Sequence, residues 1–415
     1  MSGKVPFSPG EASDLPETLD VERAVLDRYQ SAALHPAEAL CSSVTYDPRY
    51  LAAVPPEVQE RDYGCGDPSR YVRPGETVLD LGSGSGKICF IISQIVGPRG
   101  RVIGVDFNDE MLALARKYTE EVGCGIGFRN VDFRKGKIQD LELDCEKLDK
   151  YLAANPVRSS EDLLRLRSFE AELRKSDPLV PSDSVDLIVS NCVLNLVRPE
   201  DKVRLFREMY RVLKREGRVA ISDIVSDEKI PEGLRSDPEL WTDCVSGAFR
   251  EEEFLRAFEE AGFHGMVLEK WEKEPYRTVE GIEFRSVTLT AHKGKEGPCL
   301  ERRQAVVYRG PWNSVTDDDC HVLHRGTRTA VCEKTYRLYA SGPYRDELIF
   351  IDPREEVPLE KAAAFDCGRT APRHPRETKG MEYRVTTVEK GSCCEPSSGG
   401  SEGSILFEET APAEK

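Results

Sequence analysis

Apolar positions along this chain recur with two different periods, and the changes of period divide it. Leu19, Val21, Ala24, Val25 and Tyr29 fall at helical spacing and predict a helix over 17–34. Residues 35–76 are Pro-rich and show neither period, and a connection that long in a compact domain is disordered or functional. From residue 77 short apolar runs alternate with amphipathic stretches. The runs predict strands at 77–81, 101–105, 127–133, 185–190 and 217–223. Helices are predicted at 87–96, 109–122 and 200–215, the last with Val203, Phe206, Met209 and Val212 facing inward. Two further helices, 237–247 and 251–261, precede a closing antiparallel pair at 266–273 and 283–292. The expected class is therefore α/β: a doubly wound, mostly parallel seven-stranded sheet covered on both faces.

Two stretches break this rhythm. Residues 140–180 are heavily charged, and Leu163, Leu164, Leu166, Phe169 and Leu173 predict an amphipathic insertion helix packed on the surface. After residue 295 strand-like pieces at 304–309, 330–338, 348–351 and 383–388 lie between Gly and Pro turns, suggesting a small β-rich C-terminal domain. The resulting division is an N-terminal segment 1–76, a nucleotide-type domain 77–225, a helical and closing-strand segment 226–295, a β-rich unit 296–388 and a tail 389–415 expected to be disordered.

Charge and cysteine content narrow the function. A net charge of −16 opposes a nucleic-acid or anionic-membrane partner, which needs a basic face. No apolar run is long enough to span a bilayer and the start lacks a signal-peptide core, so a cytoplasmic protein is expected. The 13 cysteines are odd in number and scattered, with no CxxC, which points to neither a disulfide framework nor a zinc ribbon. The six histidines show no ligand spacing, and no metal cofactor is expected.

The strongest local signal is the strand-to-helix turn Val78-Leu79-Asp80-Leu81-Gly82-Ser83-Gly84-Ser85-Gly86. Glycines there let the backbone turn sharply and a ligand approach closely. Asp106, ending the next strand, is placed to accept hydrogen bonds from ribose hydroxyls. A nicotinamide dinucleotide would share both features, but Lys87 stands where the third glycine of its fingerprint belongs. Asp80 would also repel a pyrophosphate, whereas it suits the cationic end of S-adenosylmethionine. The turn is accordingly read as a S-adenosylmethionine site, with Met111 and Ile138 placed to cover the adenine.

Three cysteines stand out by position. Cys65 lies in the YGCG loop before the first strand, Cys192 follows the fourth strand in SNCVLNL, and Cys244 sits in WTDCVSGA after the fifth. Ligands of open α/β sheets bind beyond the carboxyl ends of the strands, so these thiols are candidates to converge beside the transferable methyl group. Cys89, on the apolar helix KICFIIS, reads as core, and Cys124, Cys145, Cys299, Cys320, Cys332 and Cys367 as structural.

Together YGCGDP, VLDLGSGSG, NVDFRKGKIQDL, SNCVLNL and WTDCVSGA resemble the arsenite S-adenosylmethionine methyltransferases over about residues 30–295, and the later YRGPW is similar as well. The resemblance implies a class I, Rossmann-like methyltransferase fold and methylation of arsenite and methylarsenite in arsenic detoxification. It implies trivalent arsenic held by Cys65, Cys192 and Cys244, and a catalytic disulfide between Cys41 and Cys65 during turnover. It also implies glutathione or thioredoxin as reductant. Tyr63 and Asn191 are expected near the cofactor, and the working unit is expected to be a monomer. Gln139 and the charged insertion depart from the family pattern. Soft arsenic prefers sulfur ligands, and its lone pair carries no proton, so no general base is needed. The Cys393–Cys394 pair is a candidate for capturing arsenic before delivery. Two alternatives stand beside this reading: a quinone-type carbon or oxygen methyltransferase, which gives the three cysteines no reason to converge, and a metalloid-sequestering sensor, which gives the glycine turn none.

Overall fold

The computed structural model of the protein describes residues 21–34, 44–61 and 63–387. Cys41 and the Cys393–Cys394 pair lie outside the described residues.

Five strands run parallel: β1 (Thr77–Leu81), β2 (Arg101–Asp106), β3 (Val131–Lys135), β4 (Val185–Asn191) and β5 (Leu213–Ser226). The chain continues through β6 (Phe249–Arg250), β7 (His264–Trp271), β8 (Arg277–Val279) and β9 (Ile282–His292). Strand order is β3-β2-β1-β4-β5-β9-β7, with β9 antiparallel to both its neighbours. The seven-stranded path matches expectation; β6 and β8, two and three residues long, are extra and too short to carry a period. Between β1 and β4 the winding reverses, which opens a crevice beyond their carboxyl ends.

Period-two alternation within the strands builds two cores. Leu79, Leu81, Ile103 and Ile188 meet Phe206, Met209, Phe254 and Phe258 on one face. Val78, Val102, Leu187 and Val189 meet Phe90, Ile91, Leu112 and Ala115 on the other.

Several elements differ from their predicted form. The second helix runs Asp109–Ile126 and stops only at Gly127, whose φ of 87° ends the helix, so β3 starts at Val131 rather than 127. In the helix Pro199–Val212 Val203 is 58% exposed, and Leu205 takes the inward place beside Phe206, Met209 and Val212. The predicted helix 237–247 is only Pro238–Thr242, closed by a turn that begins at Asp243. β5 is longer at both ends because Leu213 pairs with Val185 of β4 at its start and β9 pairs along it as far as Ser226. The charged insertion forms two helices, Cys145–Ala154 and Ser160–Ser176, joined by Tyr151 stacking on Phe169. Among the leucines of the second of these helices only Leu173 is buried; Leu163 and Leu164 face solvent.

The C-terminal unit contains β10 (Leu300–Glu301), β11 (Ala305–Tyr308), β12 (Ser314–Thr316), β13 (Val322–His324), β14 (Arg328–Ala330), β15 (Leu348–Ile351) and β16 (Ala363–Ala364). β11 lies between β14 and β15, and β10 pairs with β16. The strand expected over 330–338 is instead a helix, Glu333–Ala340. Cys332 caps its first turn, and the helix buries Tyr336 and Tyr339 on one side, a three-residue spacing that no strand could place on one face. Residues 383–387 form no strand. Cys299, Cys332 and Cys367, without context in the sequence, meet here with sulfur atoms within 4.8 Å of one another. Among the described residues no helix is long and apolar enough to cross a membrane.

Candidate active site

The glycine turn after β1 forms the floor of a cavity of about 180 Å³ at the β1–β4 crevice. Asp80, Gly82, Ser83, Gly84, Asp106, Met111, Ile138 and Asn191, all named from the sequence, line it, and so do Tyr63 and Cys192. Gly86 does not: at φ 88° it starts the helix Lys87–Val96, and a Cβ there would lie 2.6 Å from the Phe133 ring. Its glycine serves helix–strand packing. The helix Val21–Leu34 roofs the cavity with Val25, Leu26 and Tyr29, and the Tyr63 hydroxyl donates to the Ala32 carbonyl at 3.3 Å. Periodicity showed that this helix exists; nothing in its sequence says where it docks.

The floor is acidic. Asp80 is 3% exposed, and one of its oxygens accepts from the Cys89 thiol at 3.2 Å. Asp106 accepts from the backbone N–H of Gly84 and of Asn108, both at 2.8 Å. Burial pushes the Asp106 carboxyl above its ordinary range, while those two N–H groups oppose the shift. Ser83 Oγ is buried with no protein partner among the described residues, and a Cβ on Gly84 would meet nothing within 4 Å. Both observations fit a polar ligand lying against the turn.

The three predicted cysteines come together. Cys65 and Cys192 form a disulfide, and the Cys244 thiol donates to the Cys192 carbonyl at 3.1 Å. The absence of disulfides expected from the spacing is thus corrected. A sheet edge can bring together thiols 127 residues apart, which spacing along the chain does not reveal. All three are nearly inaccessible, packed with Ile224, Leu240 and Val245.

Each cysteine is held by a specific device. The YGCG loop is clamped by Asn191, whose Oδ1 accepts from the N–H groups of Cys65 and Gly66 and whose Nδ2 donates to the Gly66 carbonyl. The approach is so close that a Cβ on Gly64 would lie 2.0 Å from Asn191 Nδ2. Asn191 was expected beside the cofactor; it lines the cavity, but its amide is spent on the cysteine loop. Cys192 and Cys244 have φ of 58° and 63°, a region that non-glycine residues avoid. After the helix Pro238–Thr242 the Cys244 N–H bonds the Trp241 carbonyl and the Val245 N–H bonds the Leu240 carbonyl, so Cys244 occupies the left-handed position usually given to glycine. It therefore projects from a turn and not, as expected, from a helix.

Sequence reasoning missed the buried pair beneath these turns. Asn195 Nδ2 donates to Asp223 Oδ1 at 2.8 Å and to the Ile224 and Cys244 carbonyls. Asp223 Oδ2 accepts from the Leu194 N–H, and burial pushes this carboxyl up to about 6. Both residues were visible in the motifs SNCVLNL and GRVAISD, but only the fold shows that they join the Cys192 and Cys244 segments.

Comparisons with known proteins agree with this geometry. Residues 73–166 and 164–262 match a methyltransferase-domain family, and residues 295–383 match a domain of unknown function. The arsenite methyltransferase of Aquipseudomonas alcaligenes is 33% identical over 315 residues, covering 72% of this chain and 80% of that protein. That of Homo sapiens is 31% identical over 361 residues, covering 83% and 86%. The crystal structure of an arsenic(III) S-adenosylmethionine methyltransferase from Chlamydomonas reinhardtii superposes with a TM-score of 0.51 at 26% identity, covering 77% of this chain and 98% of that one. With its class I methyltransferase sheet, its glycine turn and relatives of this identity and coverage, the chain belongs to the arsenite methyltransferase family.

Proposed function

We propose that the protein transfers methyl groups from S-adenosylmethionine to arsenite and methylarsenite held by Cys65, Cys192 and Cys244, as an arsenic-detoxifying enzyme. The observation that carries this reading is the meeting of three sulfur-bearing segments, from before β1, after β4 and after β5, at a cluster whose Cys192 lines the glycine-turn cavity. Three thiols displace the three hydroxyls of arsenite as water and leave the arsenic lone pair free, a geometry that suits a soft, pyramidal centre. When bound, S-adenosylmethionine would supply an electrophilic methyl carbon on a sulfonium, which such a lone pair could take as the C–S bond breaks and S-adenosylhomocysteine leaves, with no proton removed.

The chain's own residues bind and position. Asp106 keeps acceptor capacity for ribose hydroxyls beyond its two N–H bonds, and Asp80 faces the cationic end of the donor. Met111 and Ile138 give apolar cover to the adenine, and Tyr63 braces the roof helix. Reactivity then follows from alignment, the main source of rate when no proton moves.

The Cys65–Cys192 disulfide is the oxidised form of this site. Arsenic binding requires a two-electron reduction that returns two thiols and leaves the reductant as a disulfide, a role for glutathione or thioredoxin. Cys41 is a further thiol for exchange with Cys65. Such chemistry needs a reducing compartment, so we assign the protein to the cytosol. Because cavity and thiols all come from one chain, we take the monomer as the working unit.

The test is incubation of the reduced full chain with arsenite, thiol reductant and labelled S-adenosylmethionine, followed by arsenic speciation. Methylated arsenic from the native chain is expected. Its loss in Cys192→Ser and Cys244→Ser, with donor affinity in equilibrium dialysis within about threefold of native, places the thiols on the arsenic side. Normal turnover by Cys192→Ser overturns the three-thiolate site.

A further inference from the structure

We propose that Cys299, Cys332 and Cys367 form a second three-thiolate site, in the C-terminal unit, that takes a soft thiophilic ion, zinc(II) or trivalent arsenic. The three residues come from distant parts of the chain, yet their sulfur atoms lie within 4.8 Å of one another. Two of the approaches are built by backbone pairing. Antiparallel β10 and β16 place Leu300 opposite Ala364, and the Phe365 N–H bonds the Cys299 carbonyl at 2.8 Å, which brings the Cys299 and Cys367 ends together. The third is set by a helix start: Cys332 caps Glu333–Ala340 and is fully buried.

Cys332 Sγ accepts from the Thr335 N–H at 3.3 Å and lies 3.2 Å from the Thr335 hydroxyl, which fixes the direction of its sulfur. Cys299 and Cys367 are only partly buried, so an ion can reach them.

Thiolates suit soft ions, and no carboxylate or imidazole shares this cluster among the described residues. Zinc binding would release three protons and retain a fourth position for water. Arsenite binding would release three waters and leave no open ligand position. Either ion would tie three remote segments of a unit whose own apolar core is small, centred on Val306, Tyr308, Leu323, Tyr336 and Tyr339.

The test compares the reduced full chain with its Cys299→Ser and Cys367→Ser variants, each loaded with zinc chloride alone or sodium arsenite alone, gel-filtered and measured for bound metal. The expected result is one equivalent fewer in both variants in at least one arm, and the arm that shows the loss identifies the ion. Cobalt(II) substituted for zinc adds a thiolate charge-transfer band in the native chain that the variants lack. Equal ion counts for native and variant chains in both arms overturn the proposal. Because it is read as a difference in bound ion, this result is independent of methyl transfer; failure of arsenic methylation by the native chain overturns the function proposed above and leaves the ion count standing.

Discussion

The backbone at Cys192 and Cys244 is the least ordinary feature of the site. Both residues hold positive φ, and L-residues lose roughly 1–2 kcal/mol there relative to glycine. Such strain at two residues of one pocket fixes the direction of two sulfur atoms at a cost in stability. Cys244→Gly is therefore expected to unfold about 1 kcal/mol later than Cys244→Ala in denaturant, although both lose methyl transfer. Equal stability of the two variants would remove strain from the account. Asp106 is a second residue whose role is separable. Its loss removes hydrogen bonds to a charged acceptor, each worth roughly 1.5–3 kcal/mol, so Asp106→Ala should weaken S-adenosylmethionine binding at least tenfold by calorimetry. Unchanged affinity takes it out of the ribose role. The types of these residues were legible in the sequence; the positive φ was not, because nothing in WTDCVSGA marks a cysteine in a place that favours glycine.

Among the elements, the carboxyl ends of β4 and β5 organise the thiols. Asn191, the last residue of β4, gives both amide atoms to the YGCG loop. Truncating it leaves the buried N–H groups of Cys65 and Gly66 without an acceptor, while the Gly66 carbonyl keeps the Tyr46 hydroxyl at 3.5 Å. Asn191→Ala should lower stability by about 2–6 kcal/mol, since each unsatisfied buried group costs about 1–3. It should also slow arsenic methylation more than it weakens donor binding. A full loss of donor binding with thiol reactivity unchanged would return Asn191 to the cofactor side. The parallel strands were readable from short apolar runs bounded by Gly and Asp. The short helix Pro238–Thr242 was not, because the apolar period continues past its end through Val245 and only the turn's hydrogen bonds stop it.

On the scale of the whole molecule, the C-terminal unit is held to the sheet through His264 and its surroundings. His264 stacks on Tyr344, the Gly265 N–H donates to Asp318, and the His292 ring lies 6.0 Å from that of His264. Burial lowers both rings to about 4 from an ordinary 6.5; the Lys295 charge adds to this at His264, and His264 itself adds to it at His292. Below 6.5 the unfolded chain binds protons that the folded chain refuses, so this stability is complete above 6.5 and drains away as pH falls toward 4. A lowering of this size corresponds to up to about 3 kcal/mol per ring. Melting curves at pH 7.5 and pH 5 should show a smaller acid loss in the His264→Asn/His292→Asn double variant than in the native chain. An identical loss in both would exclude these rings as the origin.

The sequence by itself determined the parallel α/β sheet, the glycine turn with Asp80 and Asp106, and the three cysteines in their motifs, because periodicity and turn chemistry are local properties. Tertiary structure decided what depends on approach across the chain: the Cys65–Cys192 bond, the Asn191 clamp, the Asp223–Asn195 pair beneath the cysteines, and the meeting of Cys299, Cys332 and Cys367. Those contacts join residues tens to more than a hundred positions apart, and distance along the chain says nothing of distance in space until strand order and register are set.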